Sequence, residues 1–150
     1  MRRARALATA VVGIGAVASL AACTKPLPNV TVLSGDTTVV VKPQAYCADQ
    51  SHCHFPKGHV STIKAAAGSS ILVDVPRAVA SKSWTLVSAV QKSNGTFQTI
   101  SGANYQSGTV KNSHSTRVDV PYGVGSYFLV VTQKSATTNG SWVAEVSIKH

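Results

Sequence analysis

Short runs in which apolar and polar residues alternate, or in which β-branched residues follow one another, fill most of the chain after residue 28. A period of two residues predicts β-strands with one buried face. No run outside the first 22 residues sustains the 3.6-residue period of an amphipathic helix. The predicted strands are residues 29–33, 37–41, 60–66, 70–75, 84–90, 97–100, 116–120, 127–132 and 142–148.

Turn residues separate these runs and predict how they connect. Gly35 lies between the first two runs, and Gly95 and Gly140 each follow an Asn, which is typical of a short hairpin loop. Residues 44–59 and 101–113 lose the alternation, so both segments are predicted to be loops.

Eight or nine short strands punctuated by turns predict an all-β domain, specifically an immunoglobulin-like antiparallel β-sandwich of about eight strands. Val73, Trp84 and Tyr127 resemble the central residues of strands B, C and F of such a domain. On that resemblance Trp84 is the core tryptophan, and Tyr127 is the corner tyrosine whose hydroxyl bonds to the backbone. A small β-barrel has the same strand count and is the alternative.

The beginning of the chain predicts where the protein is located. Three arginines precede an apolar stretch that ends in small residues, which is typical of a signal peptide. Residues 20–23, Leu-Ala-Ala-Cys, resemble the lipobox of bacterial lipoproteins, in which the Cys thiol carries diacylglycerol. We expect a helical signal peptide at 1–22, a lipidated Cys23 with a Pro-rich linker at 23–28, and one sandwich domain at 29–150. Ordinary secretion with a free Cys23 is the alternative.

Charge bears on the partners that the chain can have. Cleavage removes three of the 14 Lys and Arg residues and none of the 5 Asp and Glu residues, which leaves a net charge of +6. We expect the extracytoplasmic face of the cell membrane as the location, with the lipid anchor as the contact and anionic lipid as an added attraction. A basic surface that serves only solubility is the alternative. The lysines are spread singly without interleaved aromatics, so no nucleic acid is expected as a partner.

The cysteines predict one disulfide. If Cys23 is lipidated, Cys47 and Cys53 remain, and both face an oxidising exterior. Their spacing allows a small closed loop, so we expect them to be bonded to each other.

Histidines flank the second of these cysteines. His52 and His54 would point to one side of an extended segment, and His59 or His114 could complete a copper or zinc site. Exposed loop histidines without a metal are the simpler interpretation, because no Cys-x-x-Cys is present and the thiols are expected to be in the disulfide.

Catalytic motifs are not found in the sequence. Asp74 and Asp119 each lie in a repeated Val-Asp-Val-Pro, but antiparallel neighbouring strands would place them at opposite ends. No Gly-x-Ser-x-Gly occurs, and the few acidic residues disfavour two-metal sites. We therefore expect neither an enzyme nor a cofactor.

Most of the chain after the leader resembles a family of uncharacterised actinobacterial lipoproteins, described only as a domain of unknown function. The motifs that carry the resemblance are Pro28-Asn29-Val30-Thr31-Val32, Tyr46-Cys47 with Cys53, Val75-Pro76 followed by Trp84, and Gly125-Ser126-Tyr127. The resemblance implies an envelope location and a paired-cysteine loop, and it implies no activity.

One long constrained loop on a rigid scaffold predicts a binding role. We expect the loop at residues 44–59 to bind an envelope protein or a cell-wall component. Its candidate binding residues are Tyr46, His52, His54 and Phe55.

Overall fold

The computed structural model describes residues 26–149. The predicted signal peptide and Cys23 lie outside the described residues. No helix between residues 26 and 149 is long and apolar enough to cross a membrane. The strands are β1 Val30–Ser34, β2 Thr37–Val41, β3 Pro43–Cys47, β4 Cys53–His54, β5 Ser61–Ala66, β6 Ser70–Asp74, β7 Trp84–Gln91, β8 Phe97–Thr99, β9 Gln106–Val110, β10 Ser115–Asp119, β11 Ser126–Lys134 and β12 Asn139–Lys149; helix α1 is Arg77–Ala80, and a 3₁₀ turn spans Ala103–Tyr105.

The strands form two separate sheets, which confirms the predicted sandwich over the barrel. The smaller sheet has the order β10-β6-β1-β2. The larger sheet has the order β4-β3-β12-β11-β7-β8, with β9 also on β7 and β5 parallel to β12. All other pairings are antiparallel. Neighbouring β6 and β10 correspond to strands B and E of an immunoglobulin-like sandwich, and β7, β11 and β12 correspond to C, F and G.

Alternating side chains of the two sheets make the core, as the period of two predicts. Ile71, Val73 and Val75 are all fully buried on one face. Trp84 is also buried, and its indole N–H donates to the carbonyl oxygen of Ser113 at 3.0 Å. The prediction of Trp84 as a core tryptophan is therefore confirmed.

Two of the three predicted hairpins are present. β1 and β2 pair in register from Ser34 opposite Thr37, and Gly35 takes the positive φ of 54° that the tight turn needs. β7 and β8 are joined through Asn94 and Gly95, where the Asn94 side chain accepts a hydrogen bond from the Thr96 N–H at 3.0 Å.

The predicted hairpin turn at Asn139-Gly140 is wrong. Asn139 pairs with Lys134, so both residues lie inside β12 and the loop is Ser135–Thr138. The Ser135 hydroxyl accepts from the Thr138 N–H at 2.9 Å, which closes this loop without a glycine. Gly140 instead leaves room for an indole, because a Cβ there would stand 2.3 Å from the ring of Trp142.

The predicted loop at 44–59 contains most of β3 and all of β4, and the predicted loop at 101–113 contains β9. β3 pairs with the first residues of β12, and β9 pairs with the first half of β7. Neither strand alternates clearly in sequence, because neither has one face that is buried along its length.

Tyr127 is not a corner tyrosine. Its side chain is fully buried, but its hydroxyl has no hydrogen-bond partner among residues 26–149. Burial raises the pKa of this hydroxyl above its ordinary value.

Candidate functional site

The predicted disulfide is present between Cys47 and Cys53. These two residues are also directly opposite each other where β4 pairs with β3. The bridge and the strand pair together close a loop of five residues, Ala48–His52, which we call the disulfide loop. The Ala48 N–H donates to the carbonyl oxygen of His52 at 3.1 Å and closes the loop from inside.

Asp49 organises the disulfide loop. Its carboxylate accepts from the backbone N–H groups of Ser51 and His52, each at 2.8 Å, and contacts the His52 ring Nδ1 at 2.8 Å. Hydrogen bonding, first from Ser51 and then from the His52 side chain, holds the pKa of Asp49 below its ordinary value. Sequence reasoning missed Asp49, although an Asp followed by polar residues two and three positions later is typical of an Asx turn.

The turn between β11 and β12 supports the loop from the side. The Thr138 hydroxyl donates to the Ala48 carbonyl oxygen at 3.3 Å, and the Gln50 side chain donates to the Ala136 carbonyl oxygen at 3.4 Å. Thr138 is buried. The loop is therefore attached to the sandwich at positions distant in sequence as well as through its own bridge.

The four predicted binding residues divide into one support and three exposed side chains. Tyr46 is half-buried and packs on the Trp142 ring, with 6.1 Å between the ring centroids. His52 and His54 are exposed, and Phe55 is 70% exposed. Phe55 therefore presents an apolar surface two positions after Cys53, whereas Tyr46 packs β3 against β12.

The predicted histidine set for copper or zinc is not brought together. Among residues 26–149 no group of three His, Cys, Asp or Glu side chains is placed to hold a metal ion. His52 is turned to Asp49. His114 directly precedes β10 of the smaller sheet, and its ring Nδ1 is 3.2 Å from the Val75 carbonyl oxygen. His54 and His59 lie along the segment that leaves the bridge. The one imidazole of residues 44–59 that a carboxylate orients is that of His52, which contacts Asp49.

The two repeated aspartates are far apart, as the antiparallel pairing predicts. Asp74 pairs with Ser115, and Asp119 pairs with Ser70, at opposite ends of the β6 and β10 pair. They form no carboxylate pair.

The chain enters the domain at the same end as the disulfide loop. The Trp142 indole N–H donates to the Pro28 carbonyl oxygen at 2.8 Å, and Trp142 is three positions from Asn139, which pairs with Cys47. Three strand residues span about 10 Å. Whatever precedes Pro28 therefore begins close to the loop.

Comparison with known proteins gives one family. A family profile described as "Protein of unknown function (DUF2771)" matches residues 24–135. No curated protein sequence matches the chain.

Proposed function

This chain belongs to the DUF2771 family, and from that premise we propose that it is a non-enzymatic lipoprotein, anchored through Cys23, that binds another component of the cell envelope with residues 44–59, the segment that contains the disulfide loop. The partner is an envelope protein or a cell-wall component at the extracytoplasmic face of the membrane. We assign the chain no cofactor and no reaction.

The observation that carries the binding role is the rigidity of the disulfide loop. The bridge, the hydrogen bonds to Asp49 and the two contacts from the β11–β12 turn fix the loop before any partner arrives. A surface that is already ordered binds with a smaller loss of conformational entropy. Exposed Phe55 supplies the apolar contact, and the Asp49–His52 pair supplies polar groups beside it.

The lipid anchor supports a partner close to the bilayer. Residues 24–28 contain two prolines, and five residues in polyproline geometry span about 15 Å. A domain on so short a linker keeps the end with Pro28 and the disulfide loop near the lipid headgroups. We therefore propose a partner that is itself exposed at or just above the membrane surface.

The anchor is tested on the native protein purified from membranes. Mass analysis of the N-terminal peptide should show a chain that begins at Cys23 with diacylglycerol on its thiol, and the C23S variant should retain the signal peptide. An unmodified chain that begins at Met1 would contradict the anchor.

The loop is tested by site-specific cross-linking in cells. A photoreactive phenylalanine analogue replaces Phe55 in one variant and Phe97 in a matched control. Phe97 is 57% exposed, but it pairs with Gln91, at the end of β7 that is far from the disulfide loop. The other end of β7, at Trp84, is the one next to the β11–β12 turn that contacts the loop. We expect one defined adduct from position 55 that is absent from position 97. The additional D49A substitution should reduce its yield. Identical adducts from both positions, or none from position 55, would refute the binding role of the loop.

A further inference from the structure

A cleft of about 370 Å³ opens where β2 turns into β3 and the returning chain at 56–61 passes beside it. We call it the basic cleft, because Lys42, Lys57 and His59 line it together with Val40. Lys42 and Lys57 are 15 positions apart in the sequence. They therefore become neighbours of one cleft only in the folded domain.

The basic cleft carries positive charge that no carboxylate offsets. None of the residues that line it is an Asp or a Glu. Within residues 26–149 the one ion pair joins Asp49 to His52, so neither lysine has a carboxylate within 4.0 Å. Asp74 is two strands away from Val40 across the smaller sheet. Glu145 contacts Thr62, and the Thr62 side chain points away from the cleft because its neighbour Ser61 lines it. The two lysines are thus open to anions from outside.

Exposed apolar side chains surround this charge. Val40 is 54% exposed on the lining itself. Phe55 and Val60 are also exposed, and each directly precedes a lining residue, Pro56 and Ser61 respectively. Apolar side chains that stand beside lysines are typical of surfaces that lie in the headgroup region of a bilayer.

The basic cleft is beside the point where the chain enters the domain. Val30 pairs with Val41, so Lys42 follows the residue opposite the start of β1. Pro28 is held nearby through Trp142. With about 15 Å of linker back to Cys23, the cleft lies within reach of the same bilayer that holds the anchor.

We propose that the basic cleft docks on the anionic phospholipid surface, with Lys42 and Lys57 against lipid phosphates and Val40 at the headgroup boundary. This proposal rests on the proposed lipid anchor, which brings the domain to the bilayer. Docking fixes the orientation of the sandwich, so the disulfide loop faces partners at the membrane surface.

The test measures amine acylation rates of individual lysines by mass spectrometry on the processed native protein. The protein is reconstituted in vesicles of phosphatidylcholine alone or with phosphatidylglycerol. Lys42 and Lys57 should react about fivefold more slowly on the anionic vesicles. Attraction of about 1 kcal/mol per lysine makes the ratio of lipid-bound to free side chain about five. Lys92 and Lys149, at the other end of the larger sheet, serve as internal controls and should react equally in both.

Variants and ligands complete the test. K42Q should reduce the protection of Lys57, whereas K92Q should leave it unchanged, and added salt should weaken it. Equal protection by neutral vesicles, equal protection by inorganic phosphate without vesicles, or no protection would each overturn the docking proposal. The N-terminal mass of the same sample reports the anchor separately. A lipidated chain whose lysines stay unprotected overturns the docking alone, whereas a chain without lipid overturns the anchor.

Discussion

The indole N–H of Trp142 donates a 2.8 Å hydrogen bond to the carbonyl oxygen of Pro28, across 114 positions of sequence. This bond ties the N-terminal segment to the buried face of β12, because Trp142 is only 1% exposed. The position at which the N-terminal segment enters the domain is therefore fixed by a core side chain and not by the linker alone. Both proposals above depend on that position.

We expect W142F to cost about 2 kcal/mol of unfolding free energy, since it removes volume and leaves the Pro28 carbonyl without its donor. W84F is the matched control, because Trp84 is equally buried and donates to Ser113 instead. Urea unfolding should show similar losses for both. Only W142F should increase the backbone mobility of Leu27 and Asn29, measured as a lower heteronuclear NOE of their amides, and equal values in the two variants would mean that Trp142 does not hold the linker.

G140A should destabilise the domain by about 1–3 kcal/mol, which is the usual cost of inserting a carbon into a packed core. The added Cβ would stand 2.3 Å from the Trp142 ring, and that ring is held by its bond to Pro28. G125A is the control, because nothing lies within 4 Å of a Cβ at Gly125. Thermal unfolding that leaves G140A as stable as G125A would show that the indole moves aside freely.

Loss of the Cys47–Cys53 bridge should cost about 2 kcal/mol, the value for closing a loop of this size in the unfolded chain. The core contains neither cysteine, so the sandwich should remain folded in C47S/C53S. Hydrogen exchange should rise at the Ala48 N–H, which depends on the closed loop, and stay unchanged at Ile63 in the core. Global unfolding of the variant would contradict this division.

The sequence predicts the core residues correctly wherever one face of a strand is buried. Val73 and Trp84 lie in the core as the alternation predicts, because burial imposes the period of two. The prediction of a hairpin turn at Asn139-Gly140 is wrong, because this Asn-Gly pair lies within β12. The glycine there serves the Trp142 ring, a contact that depends on a rotamer and not on the local sequence.

Of the candidate site, the sequence predicts the disulfide and the exposed Phe55, but not the contacts between side chains. The bridge followed from the cysteine count and the expected location, and Phe55 followed from its place in the loop. The bond between Asp49 and His52 and the meeting of Lys42 with Lys57 depend on loop geometry and on the packing of distant segments. The alternative of a metal site on His52 and His54, completed by His59 or His114, is not supported, because the described residues contain no group of three such side chains placed to hold a metal ion.

Tyr127 should make the unfolding free energy of the domain decrease at alkaline pH. Burial raises the pKa of its hydroxyl, so the folded protein keeps this proton at a pH where the unfolded chain releases it. The resulting stability is fully present below the unfolded value near pH ~10, and it falls as the pH rises from there toward the folded pKa. In Y127F this loss should disappear from the unfolding free energy measured between neutral and alkaline pH.

The same variant separates a buried hydroxyl without a partner from a corner tyrosine. At neutral pH Y127F should be as stable as the parent or more stable by about 1 kcal/mol, since no hydrogen bond is lost within the described residues and a desolvated hydroxyl is removed. A corner tyrosine would instead lose its bond to the backbone and become less stable. Y46F is the control for the removal of a tyrosine hydroxyl from a side chain that is only half-buried. A marked loss of stability in Y127F at neutral pH would restore the corner assignment and contradict the position of this hydroxyl in the structure.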